Sequence, residues 1–192
     1  MKFTQIPADT FEKLQLNAGV LLTEFSPETA TVDREKILGA TSGGINFTDT
    51  PEFQDFGEDI DNCPKNTKEL KKIVSREVKV SGTFLTLDAP LSKRLMAAAD
   101  VTGNKIKPRD ILKDEDFSDL WWVGDYSDEN GNDKGGFVAI KICNALSTGG
   151  FSIQSGDKAK GTASFEFTAH YSVANPDEVP YEVYIKSGEA DS

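Results

Sequence analysis

The chain has 192 residues, 38% of them hydrophobic and 28% charged, with 12 Phe among them. That is enough apolar material for one buried core, and the composition is neither that of a disordered chain nor that of a membrane protein. The 32 acidic against 21 basic residues leave a formal net charge of −11, which argues against a surface that binds nucleic acid by neutralising phosphates and makes any meeting with DNA repulsive.

The opening MKFTQIPADTF carries one Lys but no apolar run or cleavage site, and no stretch approaches the roughly 18 apolar residues that span a bilayer. The expectation is a soluble protein made in the cytoplasm. Asp9 or Thr10 can cap a short helical turn through Phe11, Leu14 and Gln15, after which AGVLLTEF reads as a strand ending before Pro27. Ser26 to Glu35 is polar and reads as a surface loop.

Gly44 to Phe56 and Leu70 to Leu87 read as the arms of one long hairpin, joined by the polar, Gly- and Pro-containing GEDIDNCPKNTKE. In the second arm Val78, Val80 and Phe84 fall on one face and Lys79, Ser81 and Thr83 on the other, the period of a half-buried strand. The arm is about three times the usual strand length, so part of it should project from the body or pair with another chain.

Asp88 is placed to cap a helix over 88–100, APLSKRLMAAAD, with Pro90 in its first turn and Leu91, Leu95, Met96 and Ala99 as its apolar stripe. Val101 to Asp116 reads as an irregular connector. SDLWWVGDY and GGFVAIKICNALS read as strands of a hairpin centred on Asn130-Gly131, both of which tolerate positive φ. The adjacent Trp121 and Trp122 then face opposite sides, each against protein.

GGFSIQS and GTASFEFTAHYSV read as a further pair joined through Gly156-Asp157, the second with Ala163, Phe165, Phe167, Ala169 and Tyr171 on its buried face. PYEVYIKSG ends the chain as a late strand or arm. The sum is a single, mainly β domain over 1–192: an antiparallel sandwich or barrel-like body, one flanking helix, a long projecting hairpin at 44–87, and the remaining strands within 118–192.

Little in the chain carries chemistry. Gly39 and Gly44 begin a phosphate-loop pattern, but Ile45 and Asn46 stand where Lys and Ser or Thr are required. His170, the only histidine, lies on the polar face of a strand with nothing local to make it a base. Cys63 and Cys143 stand 80 positions apart, without metal or redox spacing, and read as packing residues.

Asp125, Asp128, Glu129 and Asp133 form one acidic cluster, but an EF-hand register would put Tyr126 at the first ligand position. Asp55, Glu58, Asp59 and Asp61 form a second, which reads as a solvated hairpin tip rather than as a carboxylate pair for glycoside hydrolysis. No catalytic, cofactor-binding or metal residue is assigned, and no cofactor is expected.

One stretch is more specific. GATSGGINFTDTPEFQDFGEDIDNCPKNTKELKK followed by VKVSGTFLTLDAPLSKRLMAAAD resembles the major tail protein, or tail tube protein, family of long flexible-tailed phages. The shared order is a glycine turn, a strand carrying Phe47, the acidic Phe53-Gln54-Asp55-Phe56, a Pro64-Lys65 tip, a return strand, and a helix ending in Ala-Ala-Asp. The likeness covers residues 38 to 101.

The resemblance implies a β-sandwich body with a flanking helix, hexameric rings of identical subunits, and rings stacked into a tube with the long hairpin in its wall. It implies a virion-tail location and no catalysis. The partners it implies are further copies of the chain and the tape measure, terminator and distal tail proteins, with DNA only as passing cargo and no membrane. The carry-over is limited to the hairpin arms as inter-subunit elements and residues 57 to 69 as a contacting loop.

The −11 charge fits such a role, because carboxylates facing duplex DNA, with one negative charge per about 1.7 Å of axis, keep it from sticking. Lys68, Lys71 and Lys72 are expected to pair with acidic groups of neighbouring subunits. The alternatives are a related baseplate or secretion-tube ring protein, or a monomeric sandwich whose mark would be a deep aromatic ligand pocket.

Overall fold

The computed structural model describes residues 5–7, 10, 13–126 and 136–187. It is mainly β, with all strand pairs antiparallel and one α-helix among the described residues. The strands are β1 (Gln15–Leu22), β2 (Thr41–Asp55), β3 (Lys71–Phe84), β4 (Ala99–Thr102), β5 (Lys105–Pro108), β6 (Ser118–Tyr126), β7 (Phe137–Ser147), β8 (Ala163–Thr168) and β9 (Tyr181–Lys186); the helix, α1, is Ala89–Leu95.

The large sheet runs β1-β6-β7-β8-β3-β2, with β9 also on β7. Strand β7 belongs to two wings: Phe137–Ile142 pair with β9, and Leu146 and Ser147 pair with β8. Between the two pairings Asn144 has φ 48° and stands at a register shift against β6. Asn is among the few residues that take this left-handed conformation readily, and such a bulge bends a strand. Asp119 secures the bulge by accepting the Asn144 backbone N–H at 3.0 Å, and the Asn144 amide donates to the His170 carbonyl at 3.1 Å.

The wings close on one core. Leu21, Leu120, Ile140 and Ile142 from β1, β6 and β7 meet Val78, Val80, Phe84, Phe165 and Phe167 from β3 and β8, with Leu91 and Leu95 of α1 joining them. A second cluster lies on the other face of the first wing, where the segment 23–37 lays Phe25 over Trp121 and Phe137. Trp121 therefore packs in one cluster and Trp122 against the other, as alternation requires. The Trp122 indole N–H donates to the Ala18 carbonyl at 3.1 Å, beside Gly19, whose φ of +70° and lack of side chain let the ring approach.

Several boundaries differ from the sequence reading. Strand β1 begins at Gln15 and ends at Leu22, so Gln15 is no helical residue and Phe25 lies in the covering loop; Asp9 and Phe11 lie outside the described residues. Helix α1 stops at Leu95 rather than running to Asp100: Ala97 takes φ 60°, and Ala99 to Thr102 pair with Lys105 to Pro108. Here pairing and the burial of Ala98 and Ala99 override the high helix propensity of an alanine run.

The connector 101–116 is thus not irregular. It holds a hairpin with a Gly103-Asn104 turn and a short 3-10 turn at Asp114–Asp116. Arg109 ties these together through ion pairs to Asp100 at 3.1 Å and to the fully covered Asp116 at 2.7 Å. GGFSIQS is not a strand; only the bridge between Gln154 and Thr162 forms there. Tyr171 lies past the end of β8 and is exposed. The Asn130-Gly131 turn and Asp128, Glu129 and Asp133 lie outside the described residues.

Candidate assembly interface

Strands β2 and β3 pair from Thr41 opposite Phe84 to Asp55 opposite Lys71, with one register shift between Thr41 and Ile45 and a second between Glu52 and Phe53, where Val74 is the extra residue. Fourteen residues of β3 span about 45 Å. Burial does not follow the pairing. Val78 is fully covered, whereas Val74, Ile73 and Phe53 are 49%, 46% and 54% exposed. The outer half of the hairpin therefore carries apolar side chains that remain half exposed, with no third strand paired beside them among the described residues.

Its edges are open as well. Among the described residues, strand β2 pairs only with β3, and β3 meets β8 only from Lys79 onward. Pro51 is tolerated because β2 is an edge strand. An open edge next to uncovered apolar residues is a template for pairing with another chain.

Where the hairpin leaves the body, three polar side chains converge. Arg76 bonds to the Asp49 carboxylate, and the Tyr181 hydroxyl donates to the same Asp49 oxygen at 2.9 Å. The Asp49 and Arg76 side chains are only 16% and 24% exposed. The Tyr181 hydroxyl is held above its ordinary pKa, chiefly by that hydrogen bond to Asp49 and then by burial. The Phe47 ring packs on the Tyr181 ring at 5.3 Å. This cluster fixes the direction of the hairpin, and the sequence reading missed it because its members lie up to 132 positions apart.

The tip, residues 56–70, is internally built. Asp55 accepts backbone N–H groups of Gly57 at 2.9 Å and Asn66 at 2.8 Å, which hold its carboxyl below the usual range. The Phe56 N–H bonds to the Leu70 carbonyl, and Cys63 Sγ lies 3.5 Å from the Thr67 hydroxyl. Gly57 is buried inside this turn; a Cβ there would meet Leu70 at 2.8 Å. Cys63 thus packs within the tip, and Asp55 is a loop brace rather than a free tip charge. Glu58, Asp59 and Asp61 are exposed.

Lys71 stands over the Phe53 ring at 5.3 Å and Lys72 over the Phe56 ring at 5.7 Å, while Lys68 pairs with its neighbour Glu69 at 3.6 Å. Asp125, in β6 opposite Phe137, is exposed. His170 is half-buried just beyond β8, edge-on to Phe117. It lines an open cavity of about 440 Å³ with Cys143, Tyr171, Glu178 and Tyr181. Burial pushes the Cys143 thiol up, away from a reactive thiolate.

No family model matches the chain, and no curated protein matches it. The geometry of the hairpin therefore carries the functional argument. Among the described residues no helix is long and apolar enough to cross a membrane, and no group of three or more His, Cys, Asp or Glu is placed to hold a metal ion.

Proposed function

We propose that the chain is a structural subunit of a phage tail tube, assembling with its own copies into stacked hexameric rings that form the conduit for the genome. The observation that carries this reading is the loss of burial along a hairpin that stays paired to its outer end. Pairing continues out to Asp55 and Lys71, yet Phe53, Phe56, Ile73 and Val74 in this outer part are left about half exposed, whereas Val78 and Val80 nearer the body are fully buried. An element this ordered and this uncovered is suited to contact with another subunit. The resemblance of residues 38 to 101 to tail tube proteins supplies the kind of assembly, and the −11 charge suits a conduit that repels duplex DNA.

Negative-stain microscopy of the purified protein tests the reading directly, with hollow tubes or rings as the expected result. A variant lacking residues 57–69 keeps a folded body, since the core is built from other segments, and loses tube formation. Tubes of normal length from that deletion would remove the hairpin from the mechanism. A lumen in which Lys and Arg outnumber Asp and Glu, or tight binding of duplex DNA at physiological salt, would refute the repulsive conduit.

A further inference from the structure

Residues 149 to 161 are exposed without exception, an arm between β7 and β8 that includes Phe151 and Ile153 at 39% and 55% exposure. The arm has a defined shape: Gln154 and Thr162 exchange both backbone hydrogen bonds at 2.8 Å, and the Ala159 N–H bonds to the Gly156 carbonyl at 3.3 Å. Lys158 and Lys160 make no ion pair among the described residues. With Asp157 they give residues 149–162 a net charge of +1, two lysines less one aspartate, in a chain of −11.

The register places this arm. Strand β8 lies on β3 with Ala163 opposite Phe84 and Thr168 opposite Lys79. Thr162 and the arm therefore emerge past the Phe84 end of β3, while the tip 57–69 emerges past the Lys71 end. Arm and tip stand at opposite ends of the same strand. The tip carries the complementary character: Glu58, Asp59, Asp61 and Glu69 against Lys65 and Lys68 give it a net charge of −2, and Phe56 and Ile60 are half exposed beside it.

We propose that the arm 149–162 is the receptor for the hairpin tip of a second copy of this chain. Lys158 and Lys160 meet Glu58, Asp59 and Asp61, and Phe151 and Ile153 cover Ile60 and Phe56. A chain cannot make this contact with itself, because a paired strand separates the two surfaces. Opposite ends of one strand joined by unlike surfaces are a head-to-tail contact, which propagates along the strand direction. This rests on the tube reading and assigns the contact between successive rings.

The experiment uses full-length protein and follows the concentration needed for tube assembly by sedimentation and microscopy at low and physiological salt. Lys158→Glu with Lys160→Glu, and separately Glu58→Lys with Asp59→Lys and Asp61→Lys, should each raise that concentration by at least about tenfold, because like charges now face each other. Carrying all five changes in one chain should restore it to near the wild-type value. Loss in both single sets without recovery in the combined chain, or no effect of the arm reversal while the 57–69 deletion stops assembly, overturns the arm contact and leaves the tube reading standing. A wild-type chain that stays monomeric at every concentration overturns both.

Discussion

The Tyr181 hydroxyl reaches across 132 positions of sequence to donate a 2.9 Å hydrogen bond to Asp49, joining the last strand to the root of the projecting hairpin. The same Asp49 oxygen takes Arg76 from the opposing strand. Tyr181→Phe removes one bond and keeps the ring packed on Phe47, so it should cost about 0.5 to 1.5 kcal/mol. Asp49→Ala leaves Arg76, itself mostly covered, without its counterion and should cost about 1 to 3 kcal/mol. Urea melts of the two variants measure the difference, and equal losses would show that Arg76 finds water easily.

At the tip, Asp55 is the brace. Its folded carboxyl sits below its ordinary value because the Gly57 N–H, then the Asn66 N–H, favour the charged form. A depressed folded value means the bracing is fully present above the unfolded carboxyl pKa, about 3.9, and is lost as pH falls through the lower folded value. The Asn66 amide resonance should therefore titrate with a midpoint below that of a free aspartate, and Asp55→Ala should abolish the transition. A midpoint at or above the free value would contradict the bracing role.

Gly57 sets a steric test of the same loop. A Cβ at this position would lie 2.8 Å from Leu70 and 3.2 Å from an Asp55 oxygen. Gly57→Ala should leave the body's melting temperature close to wild type, because the tip is remote from the core, while amide exchange at Asn66 and Leu70 accelerates. Unchanged protection at both amides would show that the loop relaxes around the methyl group.

Leu95 is fully covered against the core, and its carbonyl accepts the buried Ser147 hydroxyl at 3.0 Å. Leu95→Ala should cost about 2 to 5 kcal/mol, read as a lower urea midpoint. Met96→Ala, at the partly exposed helix end, should cost clearly less. Equal effects would mean that α1 is not anchored through Leu95.

Asn144 bends β7 between the two wings with φ 48°. Asn144→Ala loses the bond to the His170 carbonyl and leaves in the left-handed region a residue without the polar side chain that makes Asn tolerant of it, at a cost of about 1 to 3 kcal/mol. Asn144→Gly keeps the conformation accessible and should be milder. Equal losses in the two variants would assign the effect to the amide contact, which both remove, instead of the backbone.

The sequence by itself determined the elements whose signals are local. Period-two burial placed Val78, Val80 and Phe84 inward, alternation sent Trp121 and Trp122 to opposite faces, Asp88 capped α1 by accepting the Leu91 N–H, and the excess length of the 44–87 arms announced a projection. The tertiary structure alone decided where α1 ends, because burial of Ala98 and Ala99 and the β4-β5 ladder outweigh a propensity difference of under about 1 kcal/mol per residue. It alone turned GGFSIQS from a strand into an exposed arm, since alternation identifies a strand only when a neighbour completes its ladder, and there only Gln154 finds one. It alone assembled Asp49, Arg76 and Tyr181, because a charge cluster drawn from β2, β3 and β9 leaves no periodic trace in the chain that encodes it.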